Sequence, residues 1–138
     1  MKLKIPPALQ DEMIKHSKKK YPFEACGFVV GCEKRPRKFI PAQNEEKSED
    51  RYRVDPQDLL DLFERLEKTG EKLWGIFHSH PKSPAFPSSL DIEQAYYPQS
   101  FYLILSLQNC RKPSLRAFSI KEGKVEEVEI IVRGDKDY

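Results

Sequence analysis

Residues 73–91 read LWGIFHSHPKSPAFPSSLD. The apolar run Leu73–Phe77 is predicted to be a strand that delivers His78 and His80 at its C-terminal end. Residues two apart on a strand share a face, so both imidazoles can reach one metal ion. Lys82–Ser89 is rich in proline and serine and reads as a loop, stiffened by Pro81, Pro84 and Pro87. A short helix is predicted from about Leu90 to Tyr97. Asp91 falls just inside its start, where a carboxylate is held rigidly and can reach back to the loop. Strand, stiff loop and helix start together make one segment of an α/β layer fold.

The rest of the chain agrees with that class. Leu3–Ile5 is a candidate edge strand, stopped by Pro6-Pro7. Pro7 suits the first turn of a helix running to about Lys20, where Lys18, Lys19 and Lys20 complement the helix dipole. Ala25–Gly31 reads as a buried strand and Lys38–Ala42 as its hairpin partner, across a turn at Glu33-Lys34-Arg35-Pro36. Residues 44–50 are polar and acidic, a loop; Tyr52–Val54 reads as a short strand. Asp55 and Pro56 are the N-cap and first residue of a second helix, and Gly70 is its C-cap. Leu59, Leu62, Phe63 and Leu66 recur at helical spacing and predict a core-facing stripe. The wholly apolar Phe101–Leu107 predicts a central strand, and Leu115–Ile120 with Val125–Val132 a terminal hairpin around Glu122-Gly123.

The chain has 138 residues, which fits one domain with one core, residues 1–138. Its 24 Lys+Arg and 22 Asp+Glu leave a net charge of +2, too balanced to predict a nucleic-acid partner. No apolar run approaches the ~20 residues of a membrane helix, so no membrane association is predicted. The N-terminal MKLKIPPALQDE lacks the apolar region of a signal peptide, and the expected location is cytoplasmic. Cys26, Cys32 and Cys110 are odd in number and are expected to be free thiols in a reducing compartment. A disulfide of Cys32 with Cys26 or Cys110 is the alternative.

Two of the three histidines lie at the 78–80 position, and with Asp91 they form a His2Asp set that leaves a fourth ligand position for water. That is the composition of a hydrolytic zinc site, one ion per chain, in which the water's pKa falls to ~7. A purely structural zinc site is disfavoured, because such sites are closed and cysteine-rich. A proton acceptor is also needed. Glu24 is the candidate general acid/base, at the edge of a buried strand after a Pro-Phe turn; taken by itself, it reads first as an exposed strand-end carboxylate. Ser88 can donate to a developing oxyanion, or serve as the N-cap of the following helix in competition with Ser89.

These residues resemble the JAMM (MPN+) metalloprotease family. His78-x-His80-x7-Ser88-x2-Asp91 agrees with its motif at every fixed position. Pro22–Gly31, PFEACGFVVG, resembles the family's glutamate-bearing strand, and Asn44 and Tyr52–Pro56 resemble what lies between the two motifs in short prokaryotic members. The likeness runs from about Leu3 to Ile120. It implies a cytidine-deaminase-like α/β fold, three layers α-β-α with a central mixed sheet. It implies zinc on His78, His80 and Asp91, Glu24 as general acid/base, and Ser88 at the oxyanion. The implied substrate is a conjugate of a ubiquitin-like or sulfur-carrier β-grasp protein, cleaved after its C-terminal tail to release a protein lysine or an amino acid such as cysteine. Cytidine-deaminase chemistry itself is not implied, since H-x-E and P-C-x-x-C are absent. An exposed terminal strand leaves room for a homodimer. The tail is expected to add to a sheet edge beside the metal, with Tyr52–Asp55 or Lys82–Pro87 lining the groove.

Two other functions share parts of this pattern. A non-catalytic scaffold of the same fold conflicts with an intact ligand set. A protein of the RadC group shares the H-x-H-x7-S-x2-D spacing, but that group carries Ser-Gly after His-Pro, where this chain has Lys82-Ser83. Nor is there a helix-hairpin-helix segment, or a basic patch beyond Lys18–Lys20.

Overall fold

The computed structural model describes residues 2–32 and 35–133. Its elements in chain order are β1 (Lys2–Ile5), α1 (Pro7–Lys20), β2 (Cys26–Cys32), β3 (Arg35–Ala42), α2 (Pro56–Thr69), β4 (Lys72–His80), α3 (Ser89–Glu93), β5 (Phe101–Ser106), β6 (Ser114–Lys121) and β7 (Lys124–Val132). The strands form one mixed sheet of seven, in the order β1-β7-β6-β5-β4-β2-β3. β5 is the middle strand, as its wholly apolar sequence demands, and β1 lies at an edge, parallel to β7.

Alternation along the strands separates two faces. Val29, Phe77, Leu103 and Leu105 point to one side, where Leu9 and Met13 of α1 cover them. Phe28 and Val30 point to the other, against Leu62 of α2. Ile76, Ile104 and Phe118 share that second face with Ile92 of α3. The sheet is therefore sandwiched between helices.

Both long helices follow their terminal signals. α1 begins on Pro7 and ends in Lys18, Lys19 and Lys20. In α2 the Asp55 carboxylate accepts from the Gln57 N–H at 2.8 Å, Pro56 is the first helical residue, and Gly70 closes the helix at φ 74°. That left-handed conformation carries no penalty only for glycine.

Four local expectations are corrected. Residues 52–54 make no strand, only an isolated bridge between Asn44 and Val54. There the Glu45 N–H donates to the Arg53 carbonyl at 2.9 Å and the Asp55 N–H to the Gln43 carbonyl at 3.0 Å, while the Asn44 side chain accepts from the N–H groups of Glu46 and Arg53, each at 3.0 Å. The helix after Ser88 stops at Glu93 rather than Tyr97. The Tyr97 N–H donates to the Tyr102 hydroxyl at 3.0 Å instead of continuing the helix, and Pro98 disfavours helical geometry at the residue before it. β3 already starts at Arg35, inside the expected turn, whose Glu33 and Lys34 lie outside the described residues. Phe63, expected in the core stripe of α2, is 43% exposed, whereas Leu62 is buried.

The arrangement places β4 between β2, antiparallel to it, and β5, parallel to it. The connection from β4 to β5 passes through α3, so the loop after His80 lies at the carboxyl ends of the parallel pair. That is where open α/β sheets present their sites. Among the described residues no helix is long and apolar enough to cross a membrane.

Candidate metal centre

His78 and His80 occupy the last turns of the β4 pleat and are almost wholly buried, at 1% and 4% exposure. Their Nε2 atoms are 3.1 Å apart. Asp91 Oδ2 lies 3.1 Å from His78 Nε2 and 3.0 Å from His80 Nε2. One atom from each residue thus converges on a single point. In a tetrahedral zinc site with bonds of about 2.0–2.1 Å, neighbouring ligand atoms are about 3.3 Å apart, so the triangle needs to open by only a few tenths of an ångström.

The neighbours fix the ligand atoms in the orientation a cation requires. The His80 Nδ1–H donates to the Pro84 carbonyl at 2.8 Å, and a carbonyl can only accept. In neutral His80 the lone pair is therefore on Nε2, facing Asp91. Asp91 is held by a capping box at the start of α3. The Ser88 N–H donates to Asp91 Oδ2 at 2.9 Å and the Asp91 N–H to Ser88 Oγ at 3.1 Å. Ser88, not Ser89, is the N-cap. Tyr52 stacks on His78 with ring centroids 4.6 Å apart and planes at 22°.

Glu24 reaches the same place from β2. The β2–β4 ladder pairs Cys26 with His78. One step on, the Ser79 N–H donates to the Ala25 carbonyl at 3.0 Å, and the Ala25 N–H to Ser79 Oγ at 2.8 Å. A further step sets Glu24 opposite His80, on the face that Cys26 and His78 share. Glu24 is no exposed strand end: it is 3% exposed. Its backbone is pinned by its N–H to the Ser48 carbonyl at 2.7 Å and by Asn44 Nδ2 donating to its carbonyl at 3.1 Å. Its carboxylate Oε1 is buried without a hydrogen-bond partner.

The electrostatics follow from burial around one carboxylate. Desolvation, reinforced by the negative charges of Asp91 and Asp50, pushes the Glu24 carboxyl up to about 9. Asp91 is held far below the usual carboxylate range: burial opposes ionisation, but hydrogen bonds from His78 and His80 outweigh it. Burial lowers His78 despite Asp91. In His80 burial is overcome by the hydrogen bonds to Asp91 and the Pro84 carbonyl, and its pKa rises. An ionised carboxylate beside two imidazole nitrogens is a donor set that fits a divalent zinc ion and a water.

Sequence reasoning thus named five residues, and four of them — Ser88, His78, His80 and Asp91 — are in direct contact in the structure. Glu24 joins them through the strand register. It missed Ser79, the Pro84 carbonyl and the stacking of Tyr52. Period-two alternation does place Ser79 on the opposite face from the two histidines, the one available signal. Cys26 is buried among Phe28, Val30, Ala42 and Leu62, and burial pushes its thiol up to about 12, so it is packing material. All three cysteines are free, as expected.

Comparison with known proteins agrees with this geometry. Residues 6–121 match the family described as prokaryotic homologs of the JAB domain. The chain is 34% identical over 121 residues to the CysO-cysteine peptidase of Mycobacterium tuberculosis, covering 86% of this chain and 83% of that protein. It is 34% identical over 131 residues to a probable TtuB-protein conjugate cleaving protease of Thermus thermophilus, covering 94% and 82%. A solution structure of a protein from Desulfitobacterium hafniense superposes with a TM-score of 0.86 at 33% identity, covering 98% of this chain and 94% of that one.

Proposed function

The chain belongs to the prokaryotic JAB-domain family and is a hydrolase, and from that premise we propose that residues 1–138 form a single zinc-dependent JAMM-type peptidase domain. Its substrate is the conjugate of a ubiquitin-like or sulfur-carrier β-grasp protein, cleaved after the carrier's C-terminal tail. The names of two relatives support the substrate class, a CysO-cysteine peptidase and a TtuB-protein conjugate cleaving protease. The observation that carries the chemistry is the convergence of His78 Nε2, His80 Nε2 and Asp91 Oδ2 within 4.8 Å of one another. Helices on both faces of one mixed sheet support the cytidine-deaminase-like layering.

His78, His80 and Asp91 would hold one zinc ion. When bound, zinc supplies the Lewis acid that makes water a nucleophile at neutral pH. The chain's own groups do the rest. Glu24 takes the proton of the attacking water on its unpartnered Oε1 and returns it to the leaving nitrogen. Burial raises its affinity for protons above that of an ordinary carboxylate, which is the direction a carrier that must later give up its proton as an acid requires. Ser88 Oγ spends a lone pair on the Asp91 N–H, which leaves its own hydrogen free to donate to the oxyanion. Tyr52 holds the His78 ring by its face, and the Pro84 carbonyl holds His80 by its Nδ1–H.

The test is zinc content by elemental analysis for the wild type and Asp91→Ala, beside cleavage of CysO-cysteine and of a TtuB–protein conjugate. We expect about one zinc per chain and cleavage of a carrier conjugate by the wild type, and neither in the variant. A wild type that binds no zinc after reconstitution would remove the peptidase assignment.

A further inference from the structure

A cavity of about 320 Å³ opens beside Glu24, which lines it together with Lys19, Lys20, Tyr21, Phe23 and Lys47. None of His78, His80, Ser88 and Asp91 lines it. That asymmetry gives the cavity a direction. In the hydrolysis proposed above, the carbonyl half of the scissile bond lies at the metal ligands and Ser88. The nitrogen half lies at Glu24, which returns the proton. A cavity that shares only Glu24 with the site therefore belongs to the leaving group. The loop closed by the Asn44–Val54 bridge divides it from its surroundings. Asn44 and Lys47 line this cavity, whereas Arg53 and Tyr52, the ring stacked on His78, line a different one.

The walls carry charge of one sign. Lys19 and Lys47 are exposed and Lys20 is partly buried, and none of the three forms an ion pair among the described residues. The only carboxylate in the lining is Glu24 itself. The dipole at the C-terminus of α1 accounts for lysines at residues 18–20. It does not account for Lys47, which a separate loop brings to the same cavity. Tyr21 and Phe23, 49% and 40% exposed, add two aromatic rings. Burial, Asp91 and Asp50 govern the Glu24 carboxyl and the lysines do not, so their ammonium groups stand away from the proton it carries. Like charges gathered around a cleft concentrate a ligand of the opposite sign.

We propose that this cavity is the leaving-group subsite, and that it selects target proteins with acidic residues beside the lysine to which the carrier is joined. This rests on the function proposed above. The position of the charges decides the occupant. In a free amino acid the carboxylate is two bonds from the leaving nitrogen, and so stays at Glu24. Carboxylates one or two residues along a target chain are carried outward by about 3.3 Å per residue, toward the lysines. Lys19, Lys20 and Lys47 hold the target there and take no part in the chemistry.

The test uses TtuB joined through its C-terminus to the side chain of the central lysine in three pentapeptides. Their flanking residues are all glutamate, all glutamine or all lysine. Cleavage is measured at low and high salt for the wild type, for Lys20→Gln with Lys47→Gln, and for Lys20→Glu with Lys47→Glu. Lys124→Gln, on β7, removes a charge outside the cavity. Zinc content and far-ultraviolet circular dichroism check that each variant folds, and the wild-type comparison of peptides stands without them. We expect the wild type to prefer the glutamate conjugate about five- to tenfold, through KM, and high salt to erase the preference. The paired glutamine variant should bring the glutamate conjugate within about twofold of the glutamine one, whose own kcat/KM stays unchanged. The paired glutamate variant should turn the preference toward the lysine conjugate. A preference that survives both paired variants, or that Lys124→Gln also removes, would overturn the proposal. Equal cleavage of all three conjugates by the wild type would overturn it too, with the peptidase function left standing. A zinc-loaded wild type that cleaves none of them would overturn that function, and this subsite with it.

Discussion

The two faces of the sheet are made from the same strands and do opposite things. On the α1 face, Phe77, Leu103, Leu105 and Met13 fill the space completely and each is fully buried. On the α2/α3 face, the neighbours of those same residues are His78 and, across the ladder, Glu24, buried just as deeply but with His78 Nδ1 and Glu24 Oε1 left without partners. Apolar burial stabilises at roughly 25 cal/mol per Å², whereas a buried polar atom without a partner costs about 1–3 kcal/mol. One face holds the fold together, and the other carries a cost, of which a bound water would relieve the part that falls on Glu24 Oε1. A single pleat, with Phe77 pointing one way and His78 the other, joins the two.

The sharpest way to break that contrast is to change Glu24 alone. Glu24→Gln keeps the shape and removes the proton carrier, so hydrolysis should fall by about 10²–10⁴ while zinc content stays at the wild-type level. Single-turnover cleavage with metal analysis checks this, and full activity in the variant would remove Glu24 from the chemistry. The opposite face should answer in stability rather than rate. Phe77→Ala should lower the unfolding free energy by about 3–5 kcal/mol, read from denaturant titration, with zinc bound normally by the fraction that remains folded.

A smaller effect separates the faces by pH. The folded-state pKa of Glu24, about 9, lies above the ordinary value of 4.5 because burial, Asp91 and Asp50 all disfavour its charge. A group raised in this way contributes its stability in full below the unfolded pKa and loses it as pH climbs through the folded one. The chelator-treated wild type should therefore lose about 1–3 kcal/mol relative to Glu24→Gln between about pH 5 and pH 9. Parallel urea titrations across that range would show it, and coincident pH profiles for the two proteins would mean that Glu24 is solvated in the metal-free state.

How much of this was legible in the sequence depends on how local the cause is. Both ends of α2 could be read because Asp55, Pro56 and Gly70 act within one turn of themselves. β5 was evidently central because every residue from Phe101 to Leu105 is apolar. The metal ligands were legible for the same reason: a period-two pair and a helix-start carboxylate are short-range patterns. What escaped depended on distant partners. α3 stops early because the Tyr102 hydroxyl takes the Tyr97 N–H, and no pattern in residues 89–97 announces that. The burial of Glu24 is set by strand pairing with β4, some fifty residues on, and by the Ser48 carbonyl. Phe63 keeps helical spacing with Leu59 and Leu66, yet it faces a cavity instead of the core.

The loop between His80 and Ser88 has one more consequence. It is tied down at two successive carbonyls, Ser83 accepting from the Ser106 hydroxyl at 2.6 Å and Pro84 from the His80 ring at 2.8 Å. It ends in the capping box that aims Asp91. A segment stapled to β4 and β5 in its middle cannot take up slack, so its length works as a ruler: one residue more or fewer would carry Asp91 off the point where the histidines meet. The count of seven between His80 and Ser88 is therefore a mechanical dimension, written into the chain as a number of residues.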